Sequence, residues 1–285
     1  MNFYHSMIKS LKTSLDRTKP LINFVHANGF PAGSYRTFLH YFAEDYEIVA
    51  QEQYGHNPKF PIHNNWQYLV DELIAYLRQQ DQPVICIGHS FGGVISFLAA
   101  CKQPSLFKGL IMLDPPAMTG VMSWLLKIAK NSAYIDKLTP AGKSNTRRRH
   151  WPVNTNVNHL FSQKRLFKDF DRRCLNDYTH SAMAFRNGRI ELTFNTQTET
   201  EIFRNMPTNL SSFNNKLTLP AALIYGESSE LNLPSFFKRF ASKNKKIALH
   251  SIAGGHMFPL EKPMATATLI KKVIKQWDLE SLPIR

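Results

Sequence analysis

The sequence VICIGHSFGGVISFLAACK, residues 84–102, decides the fold of this protein. Its first four residues are wholly apolar, which is typical of a strand buried on both faces of a parallel sheet. Residues 91–102 continue as an apolar helix, and the turn between them, GHSFG, matches the pattern G-x-S-x-G. That pattern raises a serine, here Ser90, on a sharp turn, while Gly88 and Gly92 let the strand and the helix pass closely. The stretch therefore predicts an exposed nucleophile at one edge of a sheet.

Outward from this stretch, short apolar strands alternate with helices. Strands are predicted at 21–25, 46–50, 110–113, 221–225 and 246–252, and helices at 34–42, 66–80, 234–242 and 264–277. The alternation is typical of βαβ units, so the predicted class is α/β, with a mostly parallel sheet and helices on both faces.

The alternation stops between residues 117 and 219, where the chain becomes more polar and more basic. Helices are predicted there at 118–138, 155–168, 172–183 and 198–206, with irregular loops between them. We therefore predict a core formed by residues 1–116 and 220–285 and an inserted helical cap formed by residues 117–219.

Composition excludes several other classes of protein. The chain has 285 residues, of which 43% are hydrophobic, so it can bury a large core and is neither disordered nor fibrous. Its three cysteines cannot all pair, and charged residues scattered through the first twenty positions argue against a secretory signal. The uncharged run 82–101 is interrupted by glycines and a histidine, so no integral membrane segment is expected. These features favour a cytoplasmic location.

The charge of the chain is strongly positive, at +14, and unevenly distributed. Residues 141–175 carry nine lysines and arginines against two aspartates. Such a segment attracts nucleic acid, anionic lipid or an acidic ligand, but no nucleic-acid-binding motif accompanies it. We therefore expect a solvated basic face that also attracts acidic substrates, and no nucleic-acid partner. The oligomeric state is left open.

A serine hydroxyl needs a neighbouring base before it can attack a substrate, and the base needs a carboxylate to orient it. His256 is the candidate base, because it follows the last predicted strand and so has the chain position that this architecture requires. His250 is the second choice, since it falls within that strand rather than beyond its end.

Two carboxylates qualify as the orienting acid. Asp114 ends the predicted strand 110–113, and Glu230 follows the strand 221–225. Both would lie at the carboxyl edge of the sheet, where open α/β sheets bind their ligands. The residues alone leave the choice open.

An oxyanion formed on the substrate needs two backbone N–H donors. One belongs to the residue after the nucleophile, Phe91, and the second is expected in the loop HANGFP at 26–31, from Asn28 or Phe30. No metal and no cofactor is called for.

Five motifs together resemble the α/β-hydrolase fold family, specifically its serine hydrolases with a helical cap. They are HANGFP at 26–31, EQYGH at 52–56, GHSFGG at 88–93, LIYGESSE at 223–230 and GGHMFPLEKP at 254–263. The resemblance implies a Ser-His-acid triad. The family's acid most often follows the strand after the cap, so the resemblance ranks Glu230 ahead of Asp114. Ser229 stands where an aspartate is usual in the family.

The resemblance also implies a reaction class. Haloalkane dehalogenases and epoxide hydrolases of this fold use an aspartate nucleophile, so Ser90 indicates acyl transfer through an acyl-enzyme, with ester hydrolysis of a small-molecule substrate expected. Thioesterase, lactonase, carbon–carbon bond hydrolase and perhydrolase activities use the same apparatus, and a non-catalytic binding member is the competing class. An apolar patch in the cap is expected to line the acyl pocket over the serine. It consists of Met118, Met122, Trp124, Leu125 and Leu126.

Overall fold

A computed structural model of the protein describes residues 19–130, 132–230 and 234–277, so the first eighteen and last eight residues of the predicted core lie outside it. The described residues contain a sheet of six parallel strands, which are β1 (Leu21–Val25), β2 (Glu47–Ala50), β3 (Val84–His89), β4 (Phe107–Leu113), β8 (Ala221–Gly226) and β9 (Ile247–Ile252). Their order across the sheet is β2-β1-β3-β4-β8-β9. The predicted α/β class with a parallel sheet is confirmed.

Both faces of this sheet are apolar because its central strands consist almost wholly of apolar residues. Within β3, Val84 and Cys86 belong to one buried cluster, while Ile85 and Ile87 belong to the cluster on the opposite face. Since successive side chains of a strand point to opposite faces, a continuous apolar run requires a cover on each side.

Helices between the strands, and two helices after the last strand, provide the two covers. They are α1 (Arg36–His40), α2 (Gln67–Leu77), α3 (Phe91–Lys102), α10 (Pro234–Ser242), α11 (Phe258–Glu261) and α12 (Pro263–Lys275). Buried residues of α2, α3 and α10 join one cluster, and those of α1, α11 and α12 join the other.

The segment between β4 and β8 contains helices, as predicted, and a small sheet that was not predicted. Its helices are α4 (Val121–Ala129), α5 (Ile135–Leu138), α6 (Ala141–Asn145), α7 (Val157–Ser162), α8 (Arg172–Ala182) and α9 (Thr196–Arg204). The antiparallel sheet consists of β5 (His150–Pro152), β6 (Met183–Arg186) and β7 (Arg189–Leu192). Asn187-Gly188, both with positive φ, forms the turn between β6 and β7. That pair is a strong hairpin signal, but the strands are too short and polar for alternation to reveal them.

Buried contacts attach this segment to the core. Asp177 of α8 accepts hydrogen bonds from the backbone and side chain of Thr37, at 2.7 and 2.6 Å. Phe30, in the loop after β1, packs against Phe167 and Tyr178 of the inserted segment. The inserted residues therefore cover the loop that follows β1, while the division of the chain into core and cap stays a prediction.

Candidate active site

Ser90 lies on a strained turn between β3 and α3. Its φ and ψ angles are 53° and −118°, a conformation that residues with a side chain rarely adopt. A Cβ added to Gly88 would collide with the carbonyl oxygen of Gly92, and one added to Gly92 would collide with that of Val25. The glycines are therefore required because the strand, the turn and the helix approach one another at backbone distance. The Ser90 side chain is half-buried.

His256 follows β9 and connects the serine to a carboxylate. Its Nε2 lies 3.1 Å from the Oγ of Ser90, and its Nδ1 lies 2.7 Å from the Oδ2 of Asp114. Since an ionised carboxylate only accepts hydrogen bonds, Nδ1 carries the proton and Nε2 is left to accept one from the serine hydroxyl. This arrangement suits Nε2 to act as a general base.

Asp114 immediately follows β4 and is fully buried. Its backbone N–H donates to the carbonyl of Ile224 at 2.8 Å, which extends the pairing of β4 with β8 by one residue. Its Oδ1 accepts the N–H of Gly226 at 3.0 Å, and its Oδ2 accepts the hydroxyl of Ser229 at 2.5 Å. The end of β8 therefore orients the carboxylate towards His256.

Glu230 is not in contact with His256, contrary to the ranking of the two acids from the sequence. Its side chain is 73% exposed and forms an ion pair with Arg165 of the inserted segment. The reason is local, because Ser229 turns inward to Asp114 while the next residue points to solvent. The contact expected of Glu230 is made by Asp114.

Of the backbone donors expected for an oxyanion, only some are available. Phe91 is the first residue of α3, and its N–H makes no hydrogen bond within the described residues. The N–H of Phe30 already donates to the carbonyl of Ala27 at 3.0 Å. Asn28 has no such backbone partner among the described residues, and its side-chain amide donates to the carbonyl of Glu199 at 2.9 Å. The geometry therefore favours Asn28 over Phe30.

His26, which begins this loop, is buried and uncharged. Its Nδ1 donates to the carbonyl of Ala27 at 2.9 Å, and its Nε2 accepts the N–H of Tyr54 at 3.1 Å. Burial lowers the pKa of His26 to about 4. A proton on Nε2 would point at another donor, so the neutral ring is the form that the loop requires.

A second buried histidine supports His256, and sequence reasoning missed it. The Nε2 of His89 donates to the carbonyl oxygen of His256 at 2.9 Å, and its Nδ1 accepts the hydroxyl of Tyr35 at 2.7 Å. Burial lowers the pKa of His89 well below its ordinary value, so the ring stays neutral and keeps this pattern. His89 lies inside the G-x-S-x-G motif, but nothing in the sequence pairs it with Tyr35.

The runner-up base, His250, lies within β9, and its Nε2 has no hydrogen-bond partner in the described part of the chain. The loop that carries His256 is stabilised by Glu261, whose Oε2 accepts the N–H of Gly255 at 2.8 Å.

Four of the five apolar residues expected to line an acyl pocket share one groove. Met118, Met122 and Leu125 line a groove of about 240 Å³ with Leu126, and Ser90 is not among its lining residues. Trp124 does not line this groove, and its side chain is largely exposed. A pocket of about 10 Å³ beside the loop after β1 is lined by Asn28, Phe30 and Glu199, among others.

The basic segment 141–175 is partly neutralised. Four of its nine basic side chains form ion pairs, which are Arg147–Glu199, Arg165–Glu230, Lys168–Asp169 and Arg173–Asp171. Its effect on acidic substrates stays a prediction.

Residues 19–130, 132–230 and 234–277 show neither a cluster of metal-ligating side chains nor a helix able to span a membrane. These residues contain no group of three or more His, Cys, Asp or Glu side chains arranged for a metal ion. None of their helices has the length and apolarity that crossing a bilayer demands. The three cysteines are free thiols.

A parallel sheet that carries, at its carboxyl edge, a serine on a tight strand-to-helix turn and a histidine is typical of the α/β hydrolases. Residues 24–269 match the sequence profile of the Alpha/beta hydrolase family, and the chain belongs to that family.

Individual relatives agree with this assignment. Monoglyceride lipase of Rattus norvegicus is 31% identical over 106 residues, which are 34% of this chain and 35% of the lipase. The match thus spans about a third of that lipase. The uncharacterized hydrolase YugF of Bacillus subtilis is 24% identical over 270 residues, 88% of each chain. The solved structure of E-2-(acetamidomethylene)succinate hydrolase superimposes with a TM-score of 0.72 at 17% identity, over 90% of this chain and 92% of that one. At this identity the superposition shows the fold alone.

Proposed function

We propose that the protein is a serine hydrolase that cleaves ester-type acyl substrates through an acyl-enzyme. The observation that carries the proposal is the unbroken series of hydrogen-bond contacts from the Asp114 carboxylate through His256 to the Ser90 hydroxyl, at 2.7 and 3.1 Å. A nucleophile, a base within hydrogen-bond reach and a group that orients the base are the three parts that covalent acyl transfer needs.

In the proposed reaction, Ser90 Oγ attacks the carbonyl carbon of the ester while its proton passes to Nε2 of His256. The carbonyl oxygen becomes an oxyanion, which the N–H groups of Phe91 and Asn28 stabilise. The C–O bond to the leaving group then breaks, and His256 returns the proton to the departing alcohol. Water, deprotonated by the same nitrogen, then attacks the carbonyl of the acyl-enzyme. The bond from the acyl carbon to Ser90 Oγ breaks, His256 returns the proton to Oγ, and the acid is released. Asp114 keeps the proton on Nδ1 throughout and stabilises the imidazolium.

The identity of the nucleophile favours acyl transfer over the opening of epoxides. Attack of Ser90 on an epoxide would leave an ether on the enzyme, which water cannot cleave by addition to a carbonyl. Attack on an ester instead leaves an acyl-enzyme, whose carbonyl is open to water. The same argument admits thioesters and lactones, which also leave an acyl group on oxygen.

Covalent labelling tests the proposal without knowledge of the natural substrate. We expect wild-type protein to react with a fluorophosphonate probe at one site and to hydrolyse short chromogenic esters. Ser90→Ala should lose both activities and keep its unfolding midpoint, since it removes one half-buried oxygen atom. A chain-length panel of esters and thioesters then identifies the acyl group. Labelling that persists in Ser90→Ala would overturn the assignment of the nucleophile.

A further inference from the structure

Helix α4, Val121–Ala129, presents its more apolar side to solvent. Ser123, Leu126 and Ala129 are its buried residues. The opposite side carries Val121, Trp124, Leu125 and Ile128. Val121 is three and four residues before Trp124 and Leu125, and Ile128 is four and three residues after them, so the four side chains share one helical stripe. Val121 is 70% exposed, Trp124 61% and Ile128 55%. In an ordinary surface helix the apolar stripe faces the core, so this orientation requires an explanation.

The exposed apolar surface continues beyond the helix. Tyr134 and Leu138, on the neighbouring turn and helix α5, are both largely exposed and line the groove of about 240 Å³ next to α4. Together with the stripe on α4 they form what we call the apolar face. Single exposed apolar residues are normal on a protein surface, but a contiguous set marks an interaction site.

The segment that carries the apolar face is rich in lysine. Residues 118–143 contain four lysines and a single acid, Asp136. Asp136 is bound to the guanidinium of Arg204 at 2.7 Å. Lys127 and Lys137 are exposed, and the ammonium group of Lys137 lies 5.4 Å from the centre of the Tyr134 ring. The rim of the face is therefore basic, while its centre carries a tryptophan, a tyrosine and aliphatic side chains.

We propose that the apolar face docks on the surface of an anionic lipid bilayer, with α4 lying in the plane of the interface. A helix with tryptophan and aliphatic residues on one side and lysines beside them is suited to that position. Negatively charged lipid headgroups would pair with Lys127 and Lys137, and the exposed apolar side chains of α4 would insert at the boundary of the acyl chains. A second copy of the chain fits less well, since face-to-face docking would bring the lysines of two molecules of charge +14 together.

The tryptophans provide a direct probe of this docking. Trp66 and Trp151 are buried, Trp277 is half-buried, and Trp124 is the one whose side chain is mostly exposed. Insertion of the face into lipid should therefore shift the fluorescence of the protein to shorter wavelength, and lipids brominated near the interface should quench it. We expect both effects with vesicles of phosphatidylcholine and phosphatidylglycerol, and much weaker effects with phosphatidylcholine alone.

Vesicle co-sedimentation with matched variants separates the apolar and ionic contributions. Val121→Gln combined with Ile128→Gln should weaken binding at least about tenfold through lost apolar burial. Lys127→Gln combined with Lys137→Gln should weaken binding by about thirtyfold, because each lysine near an anionic surface strengthens binding by about fivefold. Phe185→Gln is the control, because that side chain is also exposed but belongs to β6.

The proposal is independent of the proposed hydrolase chemistry, so Ser90→Ala should bind vesicles as wild type does. Absence of a fluorescence shift with anionic vesicles would overturn it, as would equal binding to both vesicle types. Sedimentation velocity without lipid is the remaining check. A dimer that Ile128→Gln weakens and Phe185→Gln does not would assign the apolar face to a second copy of the chain instead.

Discussion

Substitution of Asp114 by asparagine tests the proposed triad at its most buried member. The Oδ1 of Asp114 accepts the N–H of Gly226, and its Oδ2 accepts the proton of His256 Nδ1. An asparagine must keep its oxygen on Gly226, because its amide group would otherwise point a donor at a backbone donor. Its NH2 group would then face Nδ1 of His256.

That orientation forces His256 into the other tautomer, with the proton on Nε2. The nitrogen facing Ser90 can then no longer accept the serine proton. An asparagine in the corresponding role of other serine hydrolases lowers kcat by about 10⁴-fold, and we expect a similar loss in Asp114→Asn. This corresponds to about 5 kcal/mol of transition-state stabilisation.

The matched control is Glu230→Gln. Its carboxylate is exposed and paired with Arg165, and exposed ion pairs contribute little, so kcat should change by less than about twofold. The assay is hydrolysis of a chromogenic ester, with the rate of fluorophosphonate labelling as a second readout and urea unfolding as the check on folding. A loss larger in Glu230→Gln than in Asp114→Asn, with both variants folded, would refute the reasoning from geometry.

Three further predictions concern stability. Tyr35→Phe removes the hydroxyl that donates to Nδ1 of buried His89, and should lower the free energy of unfolding in urea by about 1–3 kcal/mol; an unchanged value would contradict that hydrogen bond. The pKa of His26 is about 4 when folded and 6.5 when unfolded, so stability should be full above pH 6.5 and fall towards pH 4 by about 3 kcal/mol, whereas His26→Gln should have a flatter dependence. Gly92→Ala should prevent folding because its Cβ would strike backbone, whereas Gly188→Ala, which meets no atom within 4 Å, should cost about 1–2 kcal/mol for its positive φ; equal losses in thermal unfolding would contradict the collision.

The amino-acid sequence by itself determined the class of fold and the position of the proposed nucleophile. The run 84–102 contains strand, turn and helix within one continuous segment, and the glycines on either side of Ser90 are needed for contacts inside that segment. Information of this kind is local, so it can be read without the rest of the chain. The strand–helix alternation that predicted the parallel sheet is local in the same way.

Tertiary structure decided which carboxylate faces His256. Asp114 and His256 are 142 residues apart, and their contact depends on the pairing of β4 with β8, which brings the Gly226 N–H to the aspartate. Both acids follow a strand, so position along the chain could not distinguish the buried Asp114 from the exposed Glu230. The direction of a loop residue depends on the contacts of its neighbours, here of Ser229 with Asp114.

The orientation of α4 was likewise decided by packing alone. Its sequence contains apolar residues on both sides, so periodicity predicts an apolar helix without saying which side is covered. Burial of Ser123, Leu126 and Ala129 leaves Trp124 and Ile128 in solvent. Local sequence specifies which backbone conformations and apolar stripes are available, whereas the choice of the surface that a stripe meets depends on residues distant in the chain.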